Sequence, residues 1–71
     1  MMVEVFKTNV ERAEEARKLL EVLQQHFPGC RINFDLHDCD KILRVKHNGV
    51  NTSEIAQLLH QSGFICEELQ D

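Results

Sequence analysis

The sequence predicts an α+β sandwich, with two helices covering one side of a four-stranded antiparallel sheet. Three observations predict it. Apolar residues alternate with polar ones in short segments, they recur every third or fourth residue in two longer ones, and the segments follow one another as β-α-β-β-α-β. The chain has 71 residues, a length that accommodates one domain, residues 1–71. A core of that size supplies only ~3–5 kcal/mol of net stability.

The elements are justified in order. Met2 to Lys7 alternates as a strand, with Val3 and Val5 on one side and Met2, Glu4 and Phe6 on the other. Thr8 and Glu11 have the spacing of a capping box, and Glu11, Glu14 and Glu15 crowd the region where a helix dipole favours negative charge. Ala13, Ala16, Leu20, Leu23 and Phe27, widened by Leu19, then form the apolar stripe of an amphipathic helix, which Pro28-Gly29 ends. Arg31 to Leu36 and Lys41 to His47 read as two strands of a hairpin joined by the polar turn His37-Asp38-Cys39-Asp40. Asn48-Gly49 signals a turn, and Asn51 or Thr52 caps a second helix with Ile55, Leu58, Leu59 and Ser62 on its inner side. Gly63 suits the left-handed position that closes this helix, Phe64 to Leu69 is the last strand, and Gln70-Asp71 should fray.

Two right-handed crossovers around a central hairpin give the ferredoxin-like, split β-α-β topology, a βαββαβ sandwich with spatial strand order 4-1-3-2. Ile32, Phe34, Leu43 and Val45 should face the helices, while Glu4, Arg31, Asp35, Arg44 and Lys46 face water, with Glu4 and Arg44 placed to pair across adjacent strands.

Composition removes several function classes. A 42% apolar and 28% charged chain is ordinary for a globular protein, which argues against disorder. No apolar run approaches the ~20 residues of a membrane span, and no basic amphipathic helix is present to lie on a membrane. The start lacks the pattern of a secretory signal, so a cytoplasmic location is expected. The net charge is −4, and the eight Lys and Arg residues are scattered along the sequence, with Arg12 and Lys18 among glutamates. Nucleic acid is disfavoured as a partner, because phosphate contacts call for a basic face. Cys30, Cys39 and Cys66 are an odd set that cannot all pair within the chain, which points to reduced thiols.

The element order, the length and the Ser62-Gly63-Phe64 ending of the second helix resemble the heavy-metal-associated domain, the family of small copper chaperones and of metal-binding domains in transporting ATPases. The match is nearest over Ile55 to Cys66. The resemblance implies the same fold, not the same activity. It does not carry over the metal site. The family binds a soft metal through a Cys-x-x-Cys pair in the first strand–helix loop, where this chain reads Lys7-Thr8-Asn9-Val10-Glu11-Arg12-Ala13.

Two candidate sites remain. The topology brings the first strand–helix loop, the hairpin turn and the second helix–strand loop to one pole, so His37, Cys39, His60 and Cys66 are candidate ligands for zinc or copper at a non-standard site. The competing reading is a solvated turn, since Asp, His and Asn favour turns on their own account. On the open side of the sheet, Met2, Phe6 and Ile42 are a candidate docking or homodimer surface. Catalysis is not expected. The carboxylates of Asp38 and Asp40 repel a thiolate at Cys39, and Val10-Glu11-Arg12 lacks the glycines of a phosphate-cradling loop. The function expected is therefore a small non-catalytic interaction module without cofactor, for a protein partner or a second copy. Metal binding at the His37–Asp40 turn is the alternative.

Overall fold

Strand β1 (Met2–Thr8) occupies an interior place in the sheet, with a strand paired along each of its edges. The computed structural model describes residues 1–69. After β1 come α1 (Ala13–His26), β2 (Arg31–Asp35), β3 (Ile42–His47), α2 (Thr52–Gln61) and β4 (Cys66–Leu69). The sheet order is β2-β3-β1-β4, and every neighbouring pair is antiparallel. This is the order expected from the sequence, read from the other edge. The expected fraying at Gln70-Asp71 falls outside the described residues.

Both helices lie on one side of the sheet, α1 against β2 and α2 against β4. The Cα extents are 28 × 28 × 18 Å. The short dimension admits one sheet and one layer of helices, each helix being ~10 Å across. Between the layers sit Phe6, Leu43 and Val45 from the strands, Ala16, Leu19 and Leu23 from α1, Ile55 and Leu59 from α2, and Val10 from the first loop. Leu20 and Leu58 are half-buried, and Ser62 points to solvent rather than into the predicted stripe.

The phase of β1 differs from the expectation. Phe6 pairs with Leu43 and Glu4 with Val45, so the even-numbered residues of β1 face the helices. Phe6 is 0% exposed. Both sides of this strand carry apolar residues, so alternation alone cannot choose between them. The larger Phe6 gains more from burial than Val3 or Val5. Glu4 consequently does not meet Arg44, which stands opposite Val5.

The helix ends follow capping chemistry. Asn51 Oδ1 accepts the Ser53 N–H at 3.0 Å. At the other end of α2, Gly63 adopts φ +92°, the Phe64 N–H reaches the Leu59 carbonyl at 2.9 Å and the Gly63 N–H reaches the His60 carbonyl at 3.0 Å. This pair of bonds is a Schellman closure. The α1 start is displaced from Thr8 to Arg12, whose N–H meets Glu15 Oε1 at 3.4 Å. Thr8 cannot cap because it is buried and its hydroxyl is committed elsewhere.

Candidate functional site

The polar pole is assembled around Thr8. Its hydroxyl donates to the Lys41 carbonyl and accepts the Val10 N–H at 3.2 Å, and its own N–H donates to the Asp40 carbonyl at 3.0 Å. Asn9 Oδ1 accepts the Ile65 N–H at 2.8 Å, which joins the same loop to the start of β4. Three loops distant in sequence thus meet at one end of the sheet.

Within that pole, the candidate ligands separate into two places. Donor atoms of Asp38, Cys39 and Asp40 lie within 4.8 Å of one another, on the outside of the hairpin turn. His37, His60 and Cys66 are not members of that group. The turn also employs its own acids. Asp35 Oδ1 accepts the His37 N–H at 3.2 Å, and Asp38 Oδ1 accepts the Asp40 N–H at 2.9 Å. Lys41 closes the turn at φ +48°, its ammonium donating to the Leu36 carbonyl at 3.1 Å. Cys66 stands opposite Thr8 and is buried on the helix side. Burial, and then the charge of Glu68, push its thiol up to about 12 from the ordinary 9.0. His60 lies near it, but its Nε2 engages the Cys66 carbonyl at 3.1 Å. The four residues singled out in the sequence therefore do not form one donor set.

The open side of the sheet is different from the surface anticipated. Phe6 is in the core and Met2 shares its phase, opposite His47. Ile42 is on the open side, opposite Asp35, yet it is only 6% exposed. The apolar groups the sheet does offer are Val3, 51% exposed, Leu69, 38% exposed, and the half-buried Val5 between them. They occupy the β1–β4 half.

The β2–β3 half is cationic. Arg31 stands directly opposite Lys46, and Asn33 opposite Arg44. With Lys7 on β1, four of the eight Lys and Arg residues share this side, against Asp35 and Glu67 as described carboxylates. Lys7 reaches Asp40 at 3.9 Å. Arg31, Arg44 and Lys46 have no ion pair among the described residues. A shallow cleft of about 210 Å³ is lined by Arg31, Ile32, Asn33, Arg44 and Lys46. The bases that look scattered along the sequence are gathered by strand pairing. Alternation within Arg31–Asp35 and Ile42–His47 held that signal, because it puts Arg31, Arg44 and Lys46 on one side.

A second feature went unnoticed in the sequence. His47 is 3% exposed, and its Nδ1 accepts the N–H groups of Gly49 and Val50, each at 3.1 Å. Its Nε2 lies 3.5 Å from Glu4 Oε1 and has no hydrogen-bond partner. The imidazole thereby organises the β3–α2 turn from beneath.

No family model matches this chain, and no curated protein matches it. Among solved structures, the solution structure of the yeast copper transporter domain Ccc2a, in its apo and Cu(I)-loaded states, is similar in fold. The match covers 97% of this chain and 96% of that one, with a TM-score of 0.67 and 16% identity. At that identity the likeness is one of architecture. It agrees with the fold that the resemblance in the sequence implied. Among the described residues no helix is long and apolar enough to cross a membrane.

Proposed function

We propose that this chain is a small non-catalytic interaction module that docks a protein partner on the uncovered side of its sheet. The observation that carries the reading is the one-sidedness of the sandwich. Both helices protect the same side, which leaves Val3, Val5 and Leu69 as an apolar strip beside a row of cations. Exposed apolar groups rimmed by charge are the composition of a docking surface. The architecture shared with a copper transporter domain supports a binding role over a catalytic one. Three free cysteines support a reducing, cytoplasmic setting.

Site-specific photo-crosslinkers test the proposal. Placed at Val3 and Leu69 they should capture a partner in the native cell, and a crosslinker at Val22 on the outer side of α1 should not. The purified partner should then perturb the amide signals of Val3, Val5 and Leu69. Capture at Val22 alone, or perturbations confined to the helices, refutes it.

A second reading, metal binding at the His37–Asp40 turn, is supported by the closeness of the Asp38, Cys39 and Asp40 donor atoms. One thiol with two carboxylates suits zinc better than copper(I), which prefers soft sulfur donors. Zinc added to the reduced chain should shift the Asp38–Asp40 amide signals and fail to do so in Cys39→Ser. No shift at equimolar zinc removes this reading.

A further inference from the structure

We infer that the occupant of the open face is an acidic protein segment, held by Arg31, Arg44 and Lys46 on one half and by Val3, Val5 and Leu69 on the other; this rests on the docking reading above. Arg31 and Lys46 are directly opposed across β2 and β3, and Arg44 lies one alternation further along the same side. Side chains at such positions are separated by ~5–8 Å. Like charges placed this way repel, and in a chain of net charge −4 carboxylates are plentiful. None of those described is paired with these three cations. The cleft between them is lined by the three cationic side chains with Ile32 and Asn33, so it presents donors without acceptors of opposite charge. An arriving carboxylate relieves the repulsion and finds bidentate donors in the two guanidinium groups.

The pattern also sets the partner's layout. Val5 stands opposite both Arg44 and Leu69, and Val3 opposite Lys46. The cationic and apolar strips are therefore adjacent, one to two strand spacings of ~4.8 Å apart. A segment that fits both presents carboxylates on one edge and aliphatic side chains on the other.

Two other occupants fit less well. Nucleic acid binding on an open sheet relies on aromatic stacking. All four phenylalanines lie elsewhere, Phe6 and Phe34 on the helix side, Phe27 after α1 and Phe64 before β4. A second copy stacked symmetrically on the β2–β3 half would set Arg31, Arg44 and Lys46 against their own kind.

The test uses the full chain, isotope-labelled, and three probes of about ten residues or nucleotides: a peptide alternating Glu with Leu, its Lys-for-Glu counterpart, and oligothymidylate. The acidic peptide should shift the amide signals of Arg31, Asn33, Arg44 and Lys46. Its affinity should fall at least tenfold in the double variant Arg44→Gln/Lys46→Gln and fall steeply with added salt. Correct folding of the variant is checked by the unchanged dispersion of its core methyl signals, and Arg31→Gln provides a second, edge-strand variant. Equal binding of the Lys peptide, preferential binding of oligothymidylate, or no shift at millimolar peptide overturns the inference. If crosslinking at Val3 and Leu69 captures a partner whose binding ignores these charge variants, docking stands and the acidic occupant falls. If capture moves to Val22, both fall.

Discussion

Cys66 shows how placement alone changes a side chain's chemistry. It pairs with Thr8 on the helix side of the sheet, where burial and then Glu68 raise its pKa to about 12. Cys30 is raised by burial as well, whereas Cys39 is exposed at the hairpin turn. The folded protein holds the Cys66 proton to higher pH than the unfolded chain does. The unfolded state binds fewer protons above about pH 9, so the stability that Cys66 contributes is complete below that value and is lost as pH rises toward about 12. Urea midpoints measured at increasing alkalinity should therefore decline more steeply in the wild type than in Cys66→Ala. Parallel declines would show that the buried thiol is not the titrating group. The sequence placed Cys66 in the last strand, but its partnership with Thr8 depends on the register between the first and last strands, which no local pattern specifies.

At the scale of the element, β1 was legible as a strand and illegible in phase. Met2, Phe6, Val3 and Val5 place apolar groups on both sides of it, so period two identifies the strand without identifying its buried side. Packing decided for Phe6, which closes against Leu43 in the layer between sheet and helices. Replacing a buried Phe by Ala costs ~3–5 kcal/mol, comparable with the whole stability available to so short a chain. Phe6→Ala should therefore be largely unfolded by circular dichroism at room temperature. Val3→Thr, on the open side, should change the unfolding free energy by no more than ~0.5 kcal/mol. Similar losses in the two variants would reverse the assigned phase. The same contrast governs α1. Its stripe was readable, but its start moved from Thr8 to Arg12 because the Thr8 hydroxyl serves the Lys41 carbonyl and the Val10 N–H.

Across the whole molecule, the fold sorts charge that the sequence mixes. Arg31, Arg44 and Lys46 are separated by up to fifteen positions in the chain yet share one half of the open face. Their repulsion is a stability cost of the isolated protein. Lys46→Glu places a carboxylate opposite Arg31 and should raise the unfolding free energy by ~0.2–1 kcal/mol, measured by denaturant titration at low salt. A destabilised Lys46→Glu would mean that the cations do not repel as their register implies. A variant that is more stable while binding an acidic peptide less well is the signature of a surface kept for recognition rather than for folding.

The sequence by itself determined the six elements, their order, the helix stripes and the antiparallel sheet order, because periodicity, turn residues and crossover handedness are properties of short segments and of their succession. It also determined that no Cys-x-x-Cys pair occupies the first loop. Only the tertiary structure decided which side of β1 is buried, that His37, Cys39, His60 and Cys66 do not converge, and which cations of the open side stand directly opposite one another. Those outcomes depend on the register between strands and on competition for space in the core, and both are settled by contacts between residues far apart in the chain.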